Sequence, residues 1–166
     1  MTRKLFVLNG SNLNMLGLRE PDLYGTATLE DVREDCVRVC GELGFELFFA
    51  QSNAEHEIVE WVQDAFRQDA TVVINPAGFS FRSVPLLDAL KMLVTPVVEV
   101  HITNIHARDP MYHRSITSSV AHTVIAGAGV YGYELAIRAA DRLAPRVDSE
   151  SSTDQRRKRG TRTQEL

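Results

Sequence analysis

The chain has 166 residues, 44% of them apolar, and a formal net charge of −4 at pH 7. This length suits one domain with a sizeable core, and the mildly acidic balance argues against broad nucleic-acid binding. No apolar run reaches the roughly 20 residues that a membrane-spanning helix needs, and the N-terminus enters a strand-like segment without a signal-peptide pattern. We therefore expect a cytoplasmic protein with no membrane partner and no nucleic-acid partner.

Strands and helices alternate along the chain. The apolar run at residues 5–8 predicts a first strand, which Asn9-Gly10 ends. Residues 28–42 predict a helix with Thr28 as its cap, Asp31 as the capping-box acid and Gly44 as its stop. The later elements are predicted in the order strand 45–51, helix 55–67, strand 71–74, helix 84–93, strand 97–100, strand 121–126 and helix 131–143.

This alternation predicts an α/β domain with a parallel sheet, and the apolar strands indicate burial on both faces. We expect the domain to occupy residues 1–144. Residues 145–166 are polar and charged, which is typical of a disordered tail; its basic cluster at 156–159 is read as solvated rather than as an RNA or acidic-partner contact. Cys36 and Cys40 lie one helical turn apart and are predicted to be reduced packing residues, not metal ligands.

Polar side chains follow four of the predicted strands. They are Asn9, Asn12, Asn14, Gln51, Ser52, Asn53, Asn75, Ser80, Glu99, His101, Thr103, Asn104 and His106. Ligands of open parallel sheets bind outside the carboxyl ends of the strands. Amides and histidines gathered there indicate a site for a polyhydroxylated or carboxylated small molecule.

The connection at residues 9–25 is long for a link between a strand and a helix, and such loops are often lids. It carries Arg19 and Tyr24. A cation beside a tyrosine favours the phenolate, which is a usable general base. The alternative is an ordinary surface ion pair with a packing tyrosine.

His101 directly follows a predicted strand, and strand alternation places Glu99 on the same face. A carboxylate fixes the tautomer of a histidine and raises its basicity, which suits a general acid; the alternative is a structural histidine. The glycine pattern Gly127-x-Gly129-x-x-Gly132 matches a dinucleotide fingerprint, but no strand follows its helix. We therefore predict close helix–sheet packing for these glycines, and neither a cofactor nor a metal.

Ordered motifs then point to a known family. They are LNGSNLNMLGLREP at residues 8–21 with Tyr24-Gly25, QSN at 51–53, INPA at 74–77, EVH at 99–101, NIHAR at 104–108 and Gly132-Tyr133. Over about residues 4–143 the chain resembles type II 3-dehydroquinate dehydratases. The resemblance implies a flavodoxin-like three-layer sandwich with a five-stranded parallel sheet, assembled as a homododecamer of trimers.

The resemblance also implies a reaction. The family converts 3-dehydroquinate to 3-dehydroshikimate, a step of the shikimate pathway of aromatic amino-acid biosynthesis, by anti elimination through an enolate and without cofactor or metal. By this resemblance Tyr24 is the base, and Arg19 favours its ionised form. Asn12 holds the water that stabilises the enolate. His101 protonates the departing hydroxyl with support from Glu99.

Further residues match the family's substrate contacts. By resemblance Asn75 binds ring hydroxyls, and the backbone at Ile102 and Thr103 receives the carboxylate of a cyclic hydroxy-keto acid. Asp88 matches an acidic position that reaches the site of a neighbouring subunit.

The chain also departs from the family pattern. Phe81 stands where a substrate-binding histidine is expected, and Arg82 where a small polar residue is usual. Tyr112 stands where an arginine contacts the substrate, and Arg82 is the candidate to replace that charge. Ser11 replaces a proline, and Ala54 replaces a histidine.

Three hypotheses follow from this mixture of matches and departures. The protein dehydrates 3-dehydroquinate with altered ring contacts, or it performs the same elimination on a modified dehydroquinate or another β-hydroxy ketone in a secondary pathway. The third is a non-catalytic oligomeric binding protein of the same fold, which the retained proton-transfer residues disfavour.

Overall fold

The computed structural model describes residues 2–18 and 20–144. The predicted tail at 145–166 and the predicted catalytic Arg19 lie outside these described residues, so both remain predictions. The strands are β1 (Arg3–Asn9), β2 (Phe45–Gln51), β3 (Thr71–Asn75), β4 (Val97–His101) and β5 (Thr123–Ala126). The α-helices are α1 (Pro21–Tyr24), α2 (Leu29–Leu43), α3 (Glu55–Arg67), α4 (Val84–Lys91) and α5 (Tyr131–Leu143).

The strands form one all-parallel sheet in the order β2-β1-β3-β4-β5. One apolar core lies between the sheet and helices α2 and α5, and a second lies between the opposite face and helices α3 and α4. Strands β1, β3 and β4 are almost wholly buried, whereas the edge strands are partly exposed. This arrangement confirms the predicted flavodoxin-like three-layer sandwich.

Helix α2 begins and ends where its signals predict. The Thr28 hydroxyl accepts a hydrogen bond from the Asp31 backbone N–H, and the Asp31 carboxylate accepts one from the Thr28 N–H. Gly44 adopts the left-handed conformation that ends the helix, with φ 73°. Cys36 and Cys40 are free and buried on this helix, as predicted.

Short single-turn elements are where prediction and structure differ. Helix α1 lies inside the segment predicted as a loop, and its turn closes because the Glu20 carbonyl accepts hydrogen bonds from the N–H groups of Leu23 and Tyr24. A 3-10 turn at Thr117–Val120 delays the start of β5 to Thr123. One turn is too short to show a helical period, so sequence patterning does not reveal these elements.

β2 lies on one side of β1, whereas β3, β4 and β5 lie on the other, so the strand order reverses between β1 and β3. Such a reversal of strand order is a topological switch point. There Gly10 donates its N–H to the carbonyl of Asn75 at 2.8 Å. A Cβ atom at Gly10 would lie 2.1 Å from the carbonyl oxygen of Pro76, so no side chain fits. The loops after β1 and β3 are therefore pressed together at the edge where a ligand is expected.

Two further points bear on the predictions. Gly132 begins α5 against β4, where a Cβ would lie 3.1 Å from the Val100 side chain, which confirms close helix–sheet packing for this glycine. In the part of the chain that the structure describes, no helix is long and apolar enough to cross a membrane.

Candidate active site

A cavity of about 240 Å³ opens at the switch point. It is lined by residues that follow β1, β3 and β4, together with the tyrosine of α1. Among them are Asn12, Tyr24, Asn75, Phe81, His101, Ile102, Thr103, Arg108 and Tyr112. Its size suits one small molecule, since sites for drug-sized ligands begin at about 300 Å³.

His101 ends β4 and reaches the cavity while remaining 4% exposed. Its Nε2 lies 2.6 Å from Oε1 of Glu99. Glu99 lies behind the histidine, outside the cavity lining, and is fully buried. The Nε2–Oε1 contact fixes the orientation of the imidazole ring toward the cavity, as the strand alternation predicted.

Hydroxyl groups surround the Glu99 carboxylate. The hydroxyls of Ser115 and Ser118 donate to the same Oε1 at 2.8 Å and 2.6 Å. Burial raises the pKa of the Glu99 carboxyl, but hydrogen bonds from His101, Ser118 and Thr117 and the charge of His101 outweigh that effect, so its pKa lies below the usual 4.5. These hydrogen bonds and the charge of His101 therefore stabilise the ionised form of Glu99.

Asn75 lines the cavity at the end of β3, and hydrogen bonds to Tyr133 and Ala77 hold its amide in place. Its Nδ2 donates to the Tyr133 hydroxyl at 2.9 Å, and that hydroxyl donates to Oδ1 of Asn9 at 2.7 Å. The Oδ1 atom of Asn75 accepts a hydrogen bond from the Ala77 N–H at 3.2 Å. Burial raises the pKa of Tyr133 far above its usual range, so it remains a neutral bridge between β1, β3 and α5.

Asn12 lies at the mouth of the cavity in the left-handed conformation, with φ 67°. Its backbone N–H donates to Oδ1 of Asn53 at 2.8 Å, and that oxygen also accepts from Gln51 at 3.1 Å. The loops after β1 and β2 are therefore tied together, and the QSN motif supplies the tie.

Tyr24 is half-buried, and its hydroxyl accepts a hydrogen bond from Nη1 of Arg108 at 3.1 Å. The sequence predicted a cation for this tyrosine, but named Arg19. Arg108 is a second cation that the prediction missed.

The remaining wall of the cavity is aromatic. The rings of Phe81 and Tyr112 pack edge to face, with their centroids 5.3 Å apart and their planes at 76°. The guanidinium carbon of Arg108 lies 4.0 Å from the centroid of the Tyr112 ring. Of the five departures from the family pattern, Phe81, Tyr112 and Ser11 therefore line the cavity.

Two predicted binding residues lie elsewhere. Arg82 is exposed and does not line the cavity of its own chain, and Arg108 lies over the Tyr112 ring. A role for Arg82 toward the substrate remains a prediction. Asp88 is exposed on α4, where it pairs with Lys91 at 3.0 Å. It does not reach the cavity of its own chain, and its role toward a neighbouring subunit remains a prediction.

Several residues that shape the site had no predicted role. Arg108 closes the NIHAR motif, and Tyr133 follows a glycine of the last helix, so both stood within recognised motifs. Ser115 and Ser118 carried no sequence signal. Within residues 2–18 and 20–144, no cluster of three or more His, Cys, Asp or Glu side chains has the arrangement of a metal site.

An open α/β sheet with a small polar cavity at its switch point is typical of enzymes that act on small molecules. Comparison with known proteins identifies the family within this class. Residues 3–141 match the family described as class II dehydroquinases. This match shows that the chain belongs to the class II dehydroquinase family.

Individual relatives agree with the family match. The chain is 49% identical over 139 residues to 3-dehydroquinate dehydratase 1 of Agrobacterium fabrum, covering 84% of this chain and 96% of the relative. It is 49% identical over 144 residues to the 3-dehydroquinate dehydratase of Brucella canis, covering 87% and 92%. The crystal structure of type II dehydroquinase from Propionibacterium acnes superposes with a TM-score of 0.82 at 40% identity, covering 86% of this chain and 98% of that one.

Proposed function

We propose that this protein is a lyase that eliminates water from 3-dehydroquinate to give 3-dehydroshikimate, a step of the shikimate pathway. The observation that carries the proposal is that Tyr24 and His101 line one small cavity at the switch point, within the span that matches the family. The names of the relatives at 49% identity support the choice of substrate.

Tyr24 is the base of the proposed reaction. As a phenolate it removes a proton from the carbon next to the substrate's ketone, and the electron pair of that C–H bond forms the enolate. Arg108, which donates to the tyrosine oxygen at 3.1 Å, stabilises the phenolate before the transfer. Arg19 is proposed to add a second positive charge, and Asn12 to hold the water that stabilises the enolate oxygen.

His101 completes the elimination. The enolate collapses to form the carbon–carbon double bond, the C–O bond breaks, and His101 supplies the proton with which the hydroxyl leaves as water. Glu99, at 2.6 Å from the ring, holds the imidazole in place. The proton gained by Tyr24 balances the one lost by His101, so a proton exchange with solvent restores the enzyme.

Substrate binding is proposed to use groups at the ends of β3 and β4. The Asn75 amide is fixed by Tyr133 and Ala77, yet an amide can form further hydrogen bonds, which are available to ring hydroxyls. The backbone at Ile102 and Thr103, which also lines the cavity, is proposed to receive the carboxylate.

The direct test is the appearance of enone absorbance when the purified protein is mixed with 3-dehydroquinate. We expect turnover without added metal or cofactor. No absorbance change at high enzyme concentration would exclude 3-dehydroquinate as the substrate. Mass spectrometry of the product distinguishes loss of water from any other reaction.

The aromatic wall favours a second candidate substrate. Phe81 offers no hydrogen bond, and Tyr112 offers one hydroxyl. A substrate in which an amino or other group replaces a ring hydroxyl is therefore a candidate for the same elimination. Comparing kcat/KM for 3-dehydroquinate and for an amino analogue decides between the two substrates, because the elimination chemistry is shared.

We further propose a cytoplasmic homododecamer built from trimers, with Asp88 reaching a neighbour's site. The exposure of Asp88 supports this assembly, as do Val84 at 56%, Met92 at 41% and Val94 at 69% exposure on the same part of the surface, because apolar side chains clustered on a surface suit an interface. Light scattering tests the assembly, and a monomeric mass would contradict it.

A further inference from the structure

Four side chains form a continuous chain of contacts from the cavity wall to the proposed base. Phe81 packs edge to face on Tyr112, and the face of the Tyr112 ring lies 4.0 Å from the guanidinium carbon of Arg108. Arg108 donates to the hydroxyl of Tyr24 at 3.1 Å. Phe81 and Tyr24 are far apart in the sequence and belong to connections that follow different strands, so only the fold brings the four together.

The guanidinium of Arg108 has few other restraints. Among residues 2–18 and 20–144, no carboxylate lies within ion-pair distance of it; its side chain has the hydrogen bond to Tyr24 and the ring contacts. Its backbone carbonyl contacts Nε2 of His113 at 2.6 Å, which closes the turn that carries Tyr112. An arginine side chain without an ion-pair partner has many rotamers to lose, so the ring that covers it decides where its charge lies.

We propose that Tyr112 is a positioning residue: its ring holds the guanidinium of Arg108 on the hydroxyl of Tyr24, and Phe81 braces that ring. The ring face attracts the cation, and the fork of the guanidinium then points one N–H at the tyrosine oxygen. Tyr112 thereby acts on proton removal through Arg108, without touching the reacting carbon. This inference rests on the proposed function for its kinetic test, but not for its spectroscopic test.

The charged and titratable groups around Tyr24 define what the experiment measures. The described residues of the cavity contribute Arg108, His101 and Tyr112, and Glu99 lies behind His101. Arg19 is the further cation that the sequence predicts for this tyrosine. Substituting leucine or phenylalanine for Tyr112 adds or removes no charge at neutral pH, so a shift in the ionisation of Tyr24 reports changed surroundings and not an added or lost charge.

The kinetic test compares Tyr112→Leu with Tyr112→Phe. Leucine keeps an apolar side chain but loses the ring, whereas phenylalanine keeps the ring and loses the hydroxyl. In Tyr112→Leu we expect the low-pH limb of the kcat profile to shift to higher pH by about half to one unit. This shift corresponds to the free energy of one cation–ring contact. Tyr112→Phe is expected to keep the low-pH limb in place, whatever its effect on KM, because the ring remains. The control Tyr131→Leu, which removes an exposed ring at the start of α5, is expected to keep the whole profile of the unmodified protein.

Phe81→Leu is the second variant, in case the first folds poorly. It removes the brace but leaves the contact between Tyr112 and Arg108, so we expect a shift in the same direction and of smaller size. Two outcomes would overturn the inference. One is an equal shift in Tyr112→Phe and Tyr112→Leu, which would assign the effect to the hydroxyl; the other is a raised KM with an unmoved pH limb, which would assign the ring to substrate binding.

A spectroscopic titration separates this inference from the proposed reaction. Tyrosinate absorbance is followed against pH in Tyr112→Leu and Tyr112→Phe, each with and without Tyr24→Phe, and the difference isolates the ionisation of Tyr24. Tyr131 and Tyr133 are common to all four proteins and cancel. We expect the Tyr24 midpoint to lie about half to one pH unit higher with leucine at position 112. Equal midpoints would refute the positioning role even in a protein that dehydrates 3-dehydroquinate, and unequal midpoints would support it even in one that does not.

Discussion

The two sides of the cavity are built in different ways. On the strand side, which comprises Asn75, His101, Glu99 and Tyr133, almost every group is buried and held by hydrogen bonds to other buried groups. On the loop side, which comprises Tyr24, Phe81, Arg108 and Tyr112, the side chains are half-buried, and their contacts include two ring contacts and the hydrogen bond from Arg108 to Tyr24. We therefore expect the strand side to contribute both to stability and to the proposed chemistry, and the loop side mainly to the proposed chemistry.

The largest expected effect is on the loop side. Tyr24→Phe removes the proposed base but keeps the ring, so the rate of dehydration should fall by about 10²–10⁴-fold. The free energy of unfolding should change little, because the side chain is half-buried. Enone absorbance and urea unfolding check the two halves of this prediction. A rate near that of the unmodified protein would mean that another group is the base. A large loss of stability would mean that the loop side stabilises the fold as the strand side does.

On the strand side, Glu99→Gln should lower kcat by about one to two orders of magnitude, part of what a general acid contributes. The substitution keeps the shape of the side chain but removes the charge that faces His101. Ser115→Ala should have a smaller effect on kcat, because it removes one hydrogen-bond donor to Glu99 and leaves the carboxylate charge in place. If Glu99→Gln keeps full kcat, the carboxylate has only a structural role.

Tyr133→Phe should act mainly on stability. It removes the hydroxyl that joins Asn9 and Asn75 and leaves both buried amides without that partner, at a cost of about 1–3 kcal/mol in the free energy of unfolding. Urea unfolding measures the loss, and Tyr131→Phe, at an exposed tyrosine two residues earlier, is the matched control. A loss no larger than that of the control would show that the bridge contributes nothing.

The smallest effect is a pH dependence. Because the pKa of Glu99 is lowered in the folded protein, its carboxylate contributes stability above the unfolded value of 4.5 and loses that contribution as the pH falls through the folded value. The unmodified protein should therefore lose more stability than Glu99→Gln between about pH 6 and about pH 3. Urea midpoints at the two pH values give the comparison, and parallel losses in both proteins would contradict it.

The sequence predicts the strand side better than the loop side, for a physical reason. Strand alternation places Glu99 and His101 on one face, and the capping box of α2 is a local pattern, so both could be predicted from neighbouring residues. The contact of Tyr24 with Arg108 joins residues 84 positions apart, and the ring of Tyr112 sits on a single turn without a period. Such contacts depend on how loops fold back over the sheet, which no local pattern encodes.

The Tyr133 bridge illustrates the same limit. The Gly132-Tyr133 motif marks this tyrosine, but it does not show which amides the hydroxyl meets, because those amides lie on two strands. Arg82 shows the limit from the other side: it follows Phe81 of the cavity wall in sequence, yet its side chain is exposed. The parts of Arg19 and Asp88 in the reaction remain predictions.

The glycine at the switch point has a consequence for altering the substrate range. At Gly10 a single added methyl group would collide with the Pro76 carbonyl, so a mutant library gains nothing from this position except unfolded protein. Phe81 and Tyr112, in contrast, already carry side chains that line the cavity. Directed evolution should therefore diversify the aromatic wall and leave the junction between β1 and β3 untouched, which preserves the frame while new ring substituents are selected.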